Sequence, residues 1–220
     1  KATLRDVKQL QKIDAVHGSL VEAELHHLTG DIAQVRYWLG NARRLGLRYD
    51  ADRSECLTHC NLGFFSAAVP AFERLCAVET GMLTGTYTMG ITLAAFRRMV
   101  QAGDDARRAK LELDPTMEHT AREADAVLTA LQVSEVRLRA VLDVAGEVLR
   151  RHKLFWLNPN ADVRTYNDPN GAGVGMLYEL QVGVSPAKAN ELTDEFLSLL
   201  IERELDGLPV AVAFLGREVA

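Results

Sequence analysis

Cys56, His59 and Cys60 are three side chains of metal-binding type within one short stretch. Their i, i+3 and i+4 spacing places them on one face of a helix, within reach of a single ion. Zinc in a closed site takes four such ligands, and His26 or His27 from an earlier helix would supply the fourth. The spacing is not that of paired Cys-x-x-Cys knuckles, and buried free thiols are ordinary core residues, so packing is the preferred reading. Glu24 and His27 form a Glu-x-x-His step, which in di-iron bundles projects two ligands inward. Such bundles need the step on two helices, and this chain has no second one; Asp14 and His17 only imitate it. A solvated or half-buried polar pair is preferred.

A second group lies near the C-terminus. Residues 176–184 alternate, with Met176, Tyr178, Leu180, Val182 and Val184 on one face and Leu177, Glu179, Gln181 and Gly183 on the other. That is a half-buried strand with one wet face. Asp162 falls in a preceding short strand, 162–166. The order helix, strand, strand, strand, helix, strand over the last 70 or so residues resembles the core of restriction-endonuclease-like nucleases. The resemblance implies an Asp near one strand, here Asp162 or Asp168, and an acid-x-Lys on the next, binding Mg²⁺ to activate water. Glu179 takes the acid position, whereas the lysine position holds Gln181. Gly171, Gly173 and Gly175 look like a phosphate loop, but a strand follows where a dinucleotide fingerprint needs a helix. They read as a hairpin connection. No nucleophile elbow, Walker lysine loop or His-Glu-x-x-His is present. Arg36, Arg43, Arg44 and Arg48 make a modest basic helix face, read as solvated.

The elements that must position these groups are mostly helical. Residues 4–28 carry one apolar stripe, with Gly30 as a stop and Asp31 as the cap of the next helix. A third helix is expected over 53–69, kinked or ended by Pro70, with a short run over 71–78. The Thr/Gly segment 80–90 favours neither helix nor loop, and 91–101 looks helical again. Asp114 and Pro115 then open a run to Lys153 whose apolar residues recur at helical spacing, expected as a single spine about 60 Å long. This gives five to seven helices in residues 1–153. After it come an apolar run at 154–157, the two strands with a turn at 168–171, and a helix capped by Ser185. Its stripe is Ala189, Leu192, Phe196, Leu199 and Leu200. Val210 to Leu215 reads as a central strand buried on both faces.

Composition bounds the function class. With 48% apolar and 25% charged residues in 220, the chain has material for a real core. From residue 155 onward four basic residues face ten acidic ones, a net of −6, while the first 154 residues carry +1. An acidic C-terminal unit repels phosphate, so a nucleic-acid partner is not expected. Three cysteines do not form a disulfide framework, no leader is seen, and the longest uncharged run is broken by glycines. A cytoplasmic protein without a membrane span is expected.

The expected architecture is therefore α+β: a helical bundle over 1–153 and a small acidic β-α-β unit over 154–220. The preferred function is a non-catalytic protein-binding or assembly protein, with homo-oligomers as one form and no cofactor. The alternatives are a metal-dependent nuclease using Asp162, Glu179 and Gln181, and a ligand-binding regulator with its pocket between bundle and sheet. Mg²⁺ or Zn²⁺ enters only under the metal readings.

Overall fold

The computed structural model describes residues 4–78, 84–154, 161–168 and 173–217. Among them are ten helices and one three-stranded sheet, an α+β fold. The helices are α1 (Leu4–Ile13), α2 (Ala15–Thr29), α3 (Ile32–Arg44), α4 (Arg48–Asn61), α5 (Phe65–Val78), α6 (Thr84–Thr92), α7 (Phe96–Arg108), α8 (Pro115–Ala130) and α9 (Glu135–Arg151). Strands β1 (Ala161–Asp168) and β2 (Gly173–Val182) follow, then α10 (Pro186–Glu202) and β3 (Val210–Gly216). Among the described residues no helix is long and apolar enough to cross a membrane.

The expected spine is two helices rather than one. Leu131 ends α8, Gln132 takes a left-handed conformation at φ 54°, and Ser134 caps α9 by accepting from Arg137 N at 3.2 Å. Val133 N donates back to Leu128 O and Gln132 N to Thr129 O, the paired bonds of a Schellman ending. Val133 is buried by that reversal, so the apolar pattern runs on unbroken through a real stop. The first stripe also divides: Asp14 accepts from Val16 N and His17 N and restarts the chain as α2. Pro70 sits inside α5 instead of ending a helix, and the break falls earlier, at Leu62–Phe64. The 91–101 helix is broken at Leu93–Ala95, and the segment 84–92 is helical.

Helix α9 is the organiser. Its acids cap the N-termini of two other helices: Asp143 Oδ1 accepts from Ser66 N of α5 at 3.1 Å, and Glu135 Oε1 from Arg97 N of α7 at 2.8 Å. Its arginines cap the preceding C-termini. Arg150 donates to Leu62 O and Gly63 O after α4, and Arg139 to Leu93 O and Ala94 O after α6, both at 3.3 Å. Each junction thus receives a carboxylate at its positive end and a guanidinium at its negative end. Gly63 and Gly146 bring the first junction into backbone contact with α9.

In the sheet β1 pairs antiparallel with β2, and β2 parallel with β3, in the order β1-β2-β3. The central strand is therefore β2. Val210 to Leu215, expected there, forms an edge with Val210, Val212 and Phe214 buried and Ala211 exposed. Its alternate alanines made the run look apolar on both faces. One core cluster continues from α4–α9 into Met176, Tyr178, Leu180 and the α10 stripe. The Tyr178 hydroxyl is shared between Ile91 O and Thr92 O at 2.7 and 2.6 Å, tying β2 to the end of α6.

Candidate functional site

The Cys56, His59 and Cys60 group lies on α4 as the spacing implies, but its atoms do not converge on an ion. Arg36 Nη2 lies 3.2 Å from His59 Nε2, and His59 Nδ1 lies 2.8 Å from Glu55 O. An arginine only donates, so Nε2 accepts and Nδ1 carries the proton that goes to the carbonyl. Both ring nitrogens are used. The Cys60 thiol and burial together hold the Cys56 thiol well above its usual range. His26 faces Glu22, His27 Nε2 faces Asn61 Nδ2 at 3.3 Å, and Glu24 is exposed. Asp14 is occupied in capping α2 and pairs with His17 at 2.7 Å. Among the described residues no three His, Cys, Asp or Glu side chains are placed to share a metal.

The neutral state of His59 has a measurable consequence. Burial, with Arg36 and Arg43 nearby, holds its pKa below the ordinary 6.5, against the opposing pull of Glu55. His27 is lowered by burial as well. The unfolded chain takes up protons at higher pH than the folded one, so this stabilisation is complete above pH 6.5 and is lost as pH falls through the folded-state values. The urea midpoint should drop between about pH 7.5 and about pH 5.5, and His59→Gln should flatten part of that slope. A midpoint that stays level in the parent protein would rule this out.

Asp162 and Glu179 are brought together as register partners across β1 and β2. They share the sheet face opposite Tyr178, with Gln181 two residues along β2. Between the two carboxylates lies Arg164, 2.7 Å from Asp162 Oδ2 and 3.0 Å from Glu179 Oε2. The position a cation would take is filled by a guanidinium. The Asp168 side chain, Phe155 to Leu157, and Gly171 with Ala172 lie outside the described residues. Gly173 and Gly175 belong to β2, where the Tyr166 ring covers Gly175 so closely that a Cβ there would meet its Cε2 at 2.6 Å. The basic face is largely committed too. Arg43 and Arg74 both pair with Asp52 and Glu55, binding α3, α4 and α5, and Arg44 bonds Asn41.

The feature that sequence reasoning missed is a groove beside the sheet. α10 packs along the outer edge of β3, where Thr193 Oγ1 accepts from Phe214 N at 3.2 Å. Below that contact the two elements diverge around a cavity of about 440 Å³. Phe196, Leu200, Leu205, Leu208 and Val210 line it, with Asp206. Leu197 and Ile201, also lining it, are 47% and 64% exposed. The sequence signal was this i, i+4 apolar pair, off the stripe that packs α10 into the core. α10 is held from behind by α9 through Arg203–Glu147, Arg151–Glu195 and His152–Glu195. A smaller hollow of about 380 Å³ separates α8 from β1, near Glu123, Thr165 and Tyr166.

No family model, curated protein or solved structure matches the chain.

Proposed function

We propose that the protein is a non-catalytic binding or assembly protein that seats a partner protein in the groove between α10 and β3. The observation that carries this reading is the pair Leu197 and Ile201, two large apolar side chains exposed on the rim of an apolar groove. Isolated exposed apolar residues are common, whereas a contiguous apolar groove with a polar rim is the usual form of a docking site. Asp206 is the acid in its lining, and the sequence from residue 155 onward carries a net charge of −6. The fitting partner presents an amphipathic helix with apolar anchors flanked by Lys or Arg, as in other helix-in-groove recognition. Cys56, Cys60 and Cys76 are buried thiols and not disulfides, which supports a reducing setting such as the cytoplasm.

The test compares the parent protein with the Leu197→Glu/Ile201→Glu double variant, by sedimentation of the purified chain and by quantitative co-purification from cells. A stoichiometric complex is expected for the parent and at least about a tenfold loss for the variant, the scale of removing central anchors. Whole multiples of the chain mass would identify a second copy as the partner. Monomers in both, with the same co-purifying set, would overturn the proposal.

The register of Asp162 against Glu179 is the observation that favours the nuclease reading. With Arg164 between them and no third acid beside them among the described residues, the pair does not fit a Mg²⁺ ion. Glu179→Ala should leave partner binding intact.

A further inference from the structure

The two edges of the sheet differ. At β3 the outer edge is occupied: α10 packs along it, and Thr193 Oγ1 accepts from Phe214 N at 3.2 Å. At β1 the outer edge is open. Among the described residues β2 is the only strand beside it, and no backbone hydrogen bond from elsewhere reaches Ala161–Asp168. An edge strand is a template for another strand unless a proline, a bulge or like charges blunt it. β1 has no proline, and its eight residues pair with β2 in unbroken register. The two charges in its first half, Asp162 and Arg164, are opposite in sign.

Those two side chains have bonding capacity left over. Arg164 donates through Nε and Nη2 to Asp162 Oδ2, at 3.1 and 2.7 Å, and Nη2 also faces Glu179. Arg164 Nη1 and Asp162 Oδ1 have no partner among the described residues, and the arginine side chain is 62% exposed. A guanidinium has donors enough for a second carboxylate. On the other face of β1, Thr165 Oγ1 donates to Glu123 of α8 at 3.0 Å. Ala126, Val127 and Ala130 wall the hollow of about 380 Å³ there, so open space and mostly small side chains flank the strand.

We propose that β1 pairs antiparallel with β1 of a second copy across a two-fold axis, joining the two sheets into one. An axis normal to the sheet sets residues of the same face opposite each other, so the centre falls on a residue. Centred on Asp162 or on Arg164, the register opposes two like charges. Centred on Thr165, it opposes Asp162 to the partner's Asp168, and centred on Tyr166 it leaves Asp162 without a counter-charge. Centred on Val163, it sets Asp162 against the partner's Arg164 and Arg164 against the partner's Asp162. Only this register uses both charges, and the unused Nη1 and Oδ1 complete two symmetric ion pairs. The edge is thus complementary to itself, as an isologous interface requires. The contact is independent of the α10–β3 groove and stands or falls separately from it.

The test is sedimentation equilibrium of the full chain. The parent should dimerise with a dissociation constant below about 100 µM, the weak range expected of a small interface. Asp162→Arg and Arg164→Asp each set like charges across the axis twice, and each should weaken the dimer by about tenfold or more. Mixed one to one, the two variants regain opposite charges and should associate about as tightly as the parent. Leu197→Glu/Ile201→Glu should leave this dimer intact. Amide exchange gives a second reading, because β1 amides of the parent should gain protection as its concentration passes through the dimerisation range. If a charge variant does not fold by circular dichroism, amide exchange of the parent decides. The pairing is overturned if the parent stays monomeric above that concentration, if the mixture stays monomeric while both variants fold, or if β1 amides gain no protection. Self-association lost with Leu197→Glu/Ile201→Glu but kept in both charge variants would assign the second copy to the groove and overturn the pairing as well.

Discussion

Replacing Gly146 with alanine should lower stability by about 3 kcal/mol, the upper part of the usual range for overpacking a rigid interior. A Cβ at that position would come within 2.6 Å of Gly63 C and 2.7 Å of Gly63 Cα, and closer still to its carbonyl oxygen. The obstacle is backbone, so no side chain can swing aside. Gly63 cannot yield easily, because its φ of 67° and the bonds from Arg150 hold the α4–α5 junction in place. Gly40 provides the internal control. It lies inside α3 with nothing within 4 Å of a built Cβ, so alanine there should stabilise by about 0.5–1 kcal/mol. Urea unfolding of the two variants, read as midpoints at constant m, should move in opposite directions. If Gly146→Ala unfolds at the parent midpoint, the backbone contact between junction and α9 is wrong.

Arg150→Ala should cost about 2–3 kcal/mol, the scale of losing charge-assisted bonds to buried carbonyls. Its guanidinium satisfies the Leu62 and Gly63 carbonyls and stacks on Phe64, 3.9 Å from the ring centroid. Burial holds its pKa below the ordinary value, yet an arginine stays charged throughout the accessible pH range. Truncation leaves two carbonyls at a helix end without their donor. Arg108 offers the contrast: it is a well-exposed residue paired only locally with Asp105, and its alanine variant should change stability by no more than about 0.5 kcal/mol. Thermal unfolding of both variants checks the difference, and equal small losses would show that α9 does not cap the junction.

The sequence by itself determined most of the local structure. Side-chain caps are short-range chemistry, so Asp31, Asp114 and Ser185 marked their helix starts correctly, and Gly30 its stop. The period-two alternation of β2 and the stripe of α10 were legible because a half-buried element writes its inner face into every second or every third and fourth residue. The α+β division followed from that change of period.

Helix endings were not legible where the left-handed residue is not glycine. Ala94, Lys110, Gln132, Lys153 and Glu204 all take φ near +50° to +60°, and each is followed by a residue whose N–H reaches back to close the last turn. Most of those following residues are apolar and buried or half-buried, among them Val133, Leu154 and Leu205, so a hydrophobic count runs straight through the stop. Conversely Pro70, read as a kink or an end, does not end its helix, because the real break, at Gly63, is set by Arg150 and Gly146 from 83 or more residues away.

Tertiary structure alone decided the sites. Glu179 and Gln181 were placed on one strand face, but that Asp162 lies opposite Glu179 with Arg164 between them follows only from the register in which β1 and β2 pair. His59 was rightly placed beside Cys56 and Cys60, but Arg36 of α3 takes the nitrogen a metal would need. The α10–β3 groove and the hollow between α8 and β1 exist only where separate elements meet, and no spacing within one element encodes the space left between two. A chain of one sequence records which faces are apolar and where local caps fall; which face meets which is settled by packing, and that is where this protein keeps its candidate binding surfaces.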